Sequence, residues 1–284
     1  MVIRVGMVGV NTSHATAFAT AIGTLPDATL TWVWGGELRP GQPDAAALAR
    51  THAIADVVRA PTDLLAETDL VLIIDDTGGG RSHAALARPF LRAGVATFVN
   101  KPMALDLAEA VELFGYTTAV TSSSALRFSR EIAAAREEIT ALGTLSSGIS
   151  TGPGEWFYYG VHAVEQLFAA TGGGVAWVQR LTWPQRDVAI LGYHDGHTAV
   201  VQTLRDAKNS FVLSLHGEHG WLTVETLDAT AFYRGQMAAT VHMARTGVPP
   251  VTAAETLEVL AVLRAGEVSA ERGGSRVALA EVMP

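Results

Sequence analysis

An α/β fold is predicted, a doubly wound parallel sheet followed by an α+β unit with a mostly antiparallel open sheet. Three observations predict it. Short apolar runs alternate with helical segments over the first third of the chain. After about residue 123 the pattern changes to period-2 runs separated by hairpin turns. The 284 residues also lie near the ceiling of about 250–300 for a single core, so two domains are expected, 1–122 and 123–284.

Taken in order, Val2–Val8 is a β-branched run, and Asn11-Thr12-Ser13 supplies turn and N-cap chemistry before a helix over Ala15–Ile22. A strand over Ala28–Trp34 ends at Gly35-Gly36, and a helix over Asp44–Arg50 precedes a short strand near Ala55–Val58. Asp63–Thr68 reads as a short helix. Leu70–Ile74 is apolar throughout, as a strand buried on both faces should be. Helices over His83–Ala93 and Leu105–Phe114 flank a strand at Ala96–Val99, and a last strand lies near Thr117–Ser122. Such alternation with short connections implies parallel strands joined by crossover helices.

In the second part, helices are expected at Ser129–Leu142 and His162–Ala170, the latter stopped by Gly172-Gly173-Gly174. Strands follow at Val175–Leu181, Val188–Tyr193, His197–Arg205, Ser210–His216 and Trp221–Thr226. Asp195-Gly196 signals a two-residue hairpin, and Lys208-Asn209 the next turn. A helix is expected over Thr230–Arg245. After Pro249-Pro250, the spacing of Thr252 and Glu255 reads as a capping box opening a helix to about Arg272.

Composition excludes several classes. Half the chain is hydrophobic (49%), too much for a disordered segment. Twenty basic against 28 acidic side chains leave −8, which argues against nucleic acid and anionic membranes as partners. No apolar run reaches the roughly 18–20 residues needed to span a bilayer. Met1–Val10 lacks a leader's layout, so a cytoplasmic protein is expected. Cysteine is absent, which rules out disulfides and thiolate chemistry.

Ligands of open parallel sheets bind beyond the carboxyl ends of the strands, so those loops carry the functional reading. In the loop after the first strand Gly9 matches the start of a G-x-G-x-x-G pattern, while Asn11 and His14 stand at the second and third glycine positions. Asn tolerates left-handed dihedrals, and Thr12 or Ser13 can donate to a phosphate at a helix N-terminus. The alternative is an ordinary strand–helix turn with a polar cap. After the second strand, Glu37 is placed to reach a ribose and Arg39 a 2′-phosphate, or both are solvated loop charges. Asp75-Asp76, followed by Thr77, offers carboxylates to Mg²⁺ or ribose hydroxyls, or simply forms a turn.

Lys101 is the most informative side chain. Only it and Lys208 are lysines among the 20 basic residues, and it sits between a buried strand and a proline, in Asn100-Lys101-Pro102. A lysine is a compact charge whose pKa moves readily on burial, which suits proton transfer or polarising a hydroxyl. In the second part, Trp156-Phe157-Tyr158-Tyr159-Gly160-Val161-His162 leads into the expected helix. At its start His162 would have a pKa lowered by the dipole and act as a neutral acid/base, with Tyr158 and Tyr159 as a wall for a polar ring. His194 with His197 and His216 with His219 lack further ligands at metal spacing, so no metal site is expected.

Together these residues resemble the Gfo/Idh/MocA group, glucose–fructose oxidoreductase, inositol dehydrogenase and their relatives. The resemblance rests on the Val5–Gly9 strand turn, Thr62-Asp63-Leu64-Leu65 through Ile73, His83, the run Arg92 to Pro102, Gly160-Val161-His162, and the turn Gly217–Gly220 before Trp221-Leu222. It implies a Rossmann domain holding NAD or NADP and a second domain whose open sheet forms homodimers or homotetramers. It implies a cofactor set of Gly9, Asn11, Thr12, Ser13, His14, Glu37, Asp76, Thr77, Asn100, Lys101 and Pro102. The implied catalytic residues are Lys101, His162 and Tyr158, and the substrate set adds Arg127 and Tyr159. Hydride would pass between nicotinamide and a secondary alcohol carbon of a sugar, cyclitol or related polyhydroxy compound, with His162 handling the proton. Lys101 and His162 are expected to converge on one crevice. The chain departs from the family pattern at Asn100, where a Glu is usual, at Tyr158, where an Asp is usual, in the glycine loop, and at Asp75-Asp76 in place of Thr-Pro. These departures leave open two alternatives, acid/base chemistry without net redox and a non-catalytic binding protein.

Overall fold

Apolar runs bounded by turn residues become parallel strands in the first unit. The computed structural model describes all residues except Arg39, Gln42, Pro43, Thr117, Thr118 and Asn209. The expected 2′-phosphate role of Arg39, the start of the strand expected at Thr117–Ser122, and half of the Lys208-Asn209 turn therefore lie outside the described residues. In chain order the unit contains β1 (Ile3–Val8), α1 (His14–Gly23), β2 (Ala28–Trp34), α2 (Ala45–His52), β3 (Asp56–Val57), β4 (Leu70–Ile73), α3 (His83–Arg92), β5 (Ala96–Val99), α4 (Leu107–Phe114) and β6 (Val120–Thr121). The strands pair in parallel in the order β3-β2-β1-β4-β5-β6. The order reverses between β1 and β4, so their C-terminal loops, with that after β5, share one edge of the sheet. The helix expected over Asp63–Thr68 is only a 3₁₀ turn at Leu65–Glu67, which closes on Thr68, whose hydroxyl donates to the Leu64 carbonyl.

Two compact units divide the chain. The first comprises Met1–Ser123 with Tyr233–Thr256, and the second Ser124–Phe232 with Leu257–Pro284. A single cut at 122/123 therefore does not describe the chain: residues 233–256 return to the first unit, where Met237, Val241 and Met243 join its core beside Phe18 and Phe98. The second unit contains α5 (Arg130–Ala134), α6 (Arg136–Ala141), β7 (Leu145–Pro153), α7 (Trp156–Thr171), β8 (Val175–Trp183), β9 (Arg186–Tyr193), β10 (Thr198–Leu204), β11 (Phe211–Gly217) and β12 (Gly220–Thr226). Helix α8 (Ala229–Thr246) leaves it, helix α9 (Ala253–Glu271) re-enters it, and β13 (Val277–Ala278) ends the chain's strands. Its sheet runs β12-β11-β7-β10-β9-β8-β13 and is mixed, with β7 and β10 parallel and the other pairs antiparallel.

Strand β7 is absent from the sequence reading because Leu145–Pro153 carries two glycines, three serines and a proline, the composition of a loop. Packing explains that composition. A Cβ on Gly148 would lie 3.1 Å from Leu167 of α7, and one on Gly152 would lie 3.2 Å from Phe211. The Ser150 hydroxyl donates to the Ala163 carbonyl of the same helix at 2.7 Å. Helix α7 thus lies close on the strand, and bulky residues have no room there. The continuous helix expected over Ser129–Leu142 breaks at Ala135 (ψ 0°) into α5 and α6. Helix α7 starts at Trp156, six residues before the expected start. The Asp195-Gly196 hairpin is present, with Gly196 at φ +95° and Tyr193 N–H donating to the His197 carbonyl. The Thr252–Glu255 capping box is reciprocal, Thr252 N–H donating to the Glu255 carboxylate and Glu255 N–H to the Thr252 hydroxyl.

Candidate active site

At the C-terminal edge of the parallel sheet, the β1–α1 turn is locked onto the loop after β4. Gly9 adopts φ +102°, and a Cβ there would fall 2.4 Å from the Asp75 Cα. Asn11, 1% exposed, spends its side chain on the same loop. Its Nδ2 donates to Asp75 Oδ2 (3.2 Å) and Thr77 Oγ1 (3.1 Å), and its Oδ1 accepts from Asp76 N–H (2.8 Å). Asp75 Oδ1 accepts from Ser82 Oγ (2.7 Å) and Thr77 N–H. Asp75 is thereby a buried brace between the two loops. Gly9→Ala must adopt a left-handed backbone and displace Asp75 backbone. It is expected to destabilise the first unit by more than about 1 kcal/mol, read as a lower denaturant midpoint.

Inside the turn, His14 is buried. Its Nδ1 accepts from Asn100 Nδ2 at 3.1 Å, its ring stacks on Phe18 at 5.4 Å, and Tyr233 meets it edge-on. Burial, helped by repulsion from Lys101 and His83, pushes its pKa down to about 3. His14 is therefore neutral, and the amide of Asn100 serves it where a carboxylate would favour an imidazolium. Ser13, at the N-cap of α1, is exposed and makes no side-chain cap hydrogen bond.

Lys101 follows β5. It is 4% exposed and joined to Pro102 by a cis peptide. Burial pushes its pKa down to about 8, against the opposing attraction of Asp76. His83, the first residue of α3, is fully buried. Its Nδ1 bonds the Pro102 carbonyl at 2.8 Å, and its Nε2 has no partner among the described residues. His83 carries no site role in the sequence analysis, although it bonds the Lys-Pro turn. Glu37 is exposed after β2. The space beside Gly36 is taken by Asp75, whose Oδ2 would lie 2.6 Å from a Cβ at that position.

In the second unit, Tyr158 and Tyr159 lie one turn before His162 on α7. The Tyr159 ring is 6.0 Å from that of His162 and 5.5 Å from that of Tyr158, and Phe211 of β11 meets His162 edge-on at 5.6 Å. His162 is the seventh residue of α7, not its first, so the dipole argument made from sequence fails: that field fades within the first turn. Its Nδ1 is instead 2.7 Å from the buried Ser124 Oγ. Arg127, expected to meet substrate, forms a buried ion pair with Glu165 one turn beyond His162. Ser124 and Glu165 were not singled out from sequence; the Ser122-Ser123-Ser124 run before a short turn was the available signal for the first. His197 bonds Asp195 at 2.6 Å and stacks on Tyr193 at 3.9 Å, and no cluster of three or more metal-ligating side chains forms among the described residues.

Residues 3–121 match the model of the Gfo/Idh/MocA family, described as an oxidoreductase family with an NAD-binding Rossmann fold. All the turn and loop residues from Gly9 to Pro102 fall inside the Gfo/Idh/MocA match, whereas Arg127, Tyr158, Tyr159 and His162 lie beyond it. No curated protein matches the chain. Among solved structures, a putative myo-inositol dehydrogenase from Sinorhizobium meliloti 1021 is similar over 98% of this chain and 99% of its own, at 19% identity and TM-score 0.85. Myo-inositol dehydrogenase from Lactobacillus casei, in complex with NAD(H) and myo-inositol, aligns over 98% of this chain and 97% of its own, at 16% identity and TM-score 0.83. Scyllo-inositol dehydrogenase from Lactobacillus casei, with NAD(H) and scyllo-inositol, aligns over 99% and 100%, at 16% and 0.85. At these identities the likeness is one of fold, and it extends past the Gfo/Idh/MocA match into the second unit.

Proposed function

We propose that the protein is an NAD(P)-dependent oxidoreductase that interconverts a secondary alcohol and its ketone in a sugar, cyclitol or related polyhydroxy compound. One observation carries the reading: a buried lysine with its pKa pushed down to about 8, at the carboxyl end of β5 in a Gfo/Idh/MocA Rossmann unit. The first unit fits a dinucleotide. Gly9 keeps the tight turn, the Asn11 side chain is drawn away toward the β4 loop, and Ser13 leaves the start of α1 uncapped for an anionic group. Gly9, Asn11, Thr12, Ser13 and His14 would hold it on the β1 side, with Asp76, Thr77, Asn100, Lys101 and Pro102 on the β4–β5 side and Glu37 at the ribose. The bound nicotinamide supplies the hydride acceptor or donor.

In this reading Lys101 polarises the substrate oxygen, and a lysine poised near neutrality can also pass on a proton. His162 takes or returns the hydroxyl proton, and Tyr158, Tyr159 and Arg127 shape the polyol site. No helix among the described residues is long and apolar enough to cross a membrane. A cytoplasmic location and a homodimer or homotetramer through the open sheet, which exposes Ile149 and Ile190, complete the proposal.

Absorbance at 340 nm with inositols and sugars tests it in the oxidative direction: reduction of NAD or NADP by any of them is the expected result. A second reading is favoured by Asn100, whose amide bonds neutral His14, and by Tyr158, both standing where the resemblance implies a carboxylate: acid/base chemistry without net redox. Turnover of a polyol with no change at 340 nm would support that reading over the first.

A further inference from the structure

We propose that His83 is a positioning residue that holds Lys101 in the site by anchoring the Pro102 carbonyl next to it. The inference rests on the role of Lys101 proposed above. It starts from a hydrogen bond of 2.8 Å between His83 Nδ1 and the Pro102 carbonyl, made within the first unit by a fully buried ring. The direction of this bond is fixed by its chemistry. A carbonyl oxygen carries no proton, so Nδ1–H donates and Pro102 accepts. Burial pushes the His83 pKa down, so the ring is neutral and Nε2 keeps its lone pair. Nε2 has no partner among the described residues, so the ring's polar commitment is to the Lys-Pro turn.

Both neighbours of Lys101 are tied. Asn100 N–H donates to the Ile73 carbonyl at 2.8 Å, and its side chain bonds His14. Pro102 has no N–H, so its carbonyl is the one main-chain group by which that residue can be held. His83 supplies the donor from a rigid support. It is the first residue of α3, whose Ala84, Ala87, Phe90 and Leu91 are buried, and the preceding Ser82 hydroxyl bonds Asp75 Oδ1 at 2.7 Å. Gly80 (φ +95°) lets the loop after β4 lie over the bond. A Cβ there would fall 3.1 Å from the His83 ring and 3.5 Å from the Pro102 oxygen. Loss of the N–H leaves a buried carbonyl without that donor and favours movement of the turn toward water. A displacement of about 1 Å in a reacting group can cost roughly 10²-fold in rate.

The test reads Lys101 in the full chain without cofactor. Lysine labelled with ¹³C at Cε gives two signals, from Lys101 and Lys208, and Lys208→Arg assigns them. The titratable groups acting on Lys101 are Asp76 after β4, His14 on α1 and His83 itself. Because the His83 ring is neutral, His83→Leu removes no charge, and a changed titration midpoint reports movement of the ammonium. His83→Leu should raise the Lys101 midpoint by about half a pH unit or more and leave Lys208 unchanged. His83→Asn, whose amide N–H falls at the place of Nδ1, should restore it. His83→Gln, with its amide at the place of Nε2, should behave as the leucine variant does and replaces it if leucine prevents folding. In turnover, His83→Leu should lower kcat by about 10–100-fold with little change in the KM for cofactor, and His83→Asn should recover most of it. In the ¹⁵N-histidine spectrum of the wild type at neutral pH, His83 should be protonated on Nδ1. A proton on Nε2 instead, or a Lys101 midpoint unmoved in a folded leucine or glutamine variant, overturns the inference. Because both spectra are read without cofactor or substrate, they can fail while the oxidoreductase reading stands, and the reverse also holds.

Discussion

Replacing Lys101 with methionine is expected to stabilise the protein while removing its activity. The buried ammonium has its pKa lowered from 10.5 to about 8, so the folded state holds that proton less well than the unfolded chain does. That difference corresponds to about 3 kcal/mol of stability withheld at neutral pH. The sign follows from proton counting. Below pH 8 the lysine is charged in both states and the full cost is present. Between pH 8 and 10.5 the unfolded state alone retains the proton, so the wild type gains stability as pH rises through that window. The methionine variant carries no ammonium to bury. It should unfold roughly 5–10 °C higher at pH 7 and lack the rise between pH 8 and 10.5. Turnover should fall by about 10²–10⁴-fold, the range for loss of a positioned proton-transfer or polarising group. Lys208→Met, at an exposed turn, should change neither. A variant less stable than wild type at pH 7 would contradict the burial cost, and one with undiminished turnover would contradict the catalytic role.

The buried pair Arg127–Glu165 carries the second large effect, in the opposite direction. The two side chains are 8% and 3% exposed. Arg127→Met leaves the Glu165 carboxylate buried without that counterion and should cost about 3–5 kcal/mol in a denaturant titration. Glu165→Gln leaves the guanidinium in the same position and should also destabilise. The double variant Arg127→Met/Glu165→Gln should recover much of the loss, because it removes both charges together. The pair also separates two roles for Arg127. A structural role alone predicts that the double variant regains turnover with stability, while contact with substrate predicts a KM that stays raised.

Much of the parallel sheet was legible because its signals are local. β2 and β5 fall on the expected residues, β5 as a short run buried on both faces and β2 as a β-branched and aromatic run ended by Gly35-Gly36. The Asp195-Gly196 hairpin and the Thr252–Glu255 box were legible for the same reason, their partners lying within four residues. Strand β7 was not, because its glycines and serines answer to α7, distant in the final packing rather than in local preference. The return of residues 233–256 to the first unit has no mark in composition, as α8 is one continuous helix across the change.

The site divides similarly. Lys101 was found because a lysine is rare in this chain and stands between a buried strand and a proline. The roles of Asn11 and Asp75 were not, because each bonds a partner more than 60 residues away, and a glycine pattern says nothing about where a replacing side chain will turn. Ser124 escaped for the same reason, its partner His162 lying 38 residues on.

The most direct measurement of the central claim is titration of the purified protein with NADH and NADPH, followed by nicotinamide fluorescence. Saturable binding of at least one of them below millimolar concentration is the predicted result. Absence of binding by the folded protein with either cofactor at millimolar concentration would contradict the account.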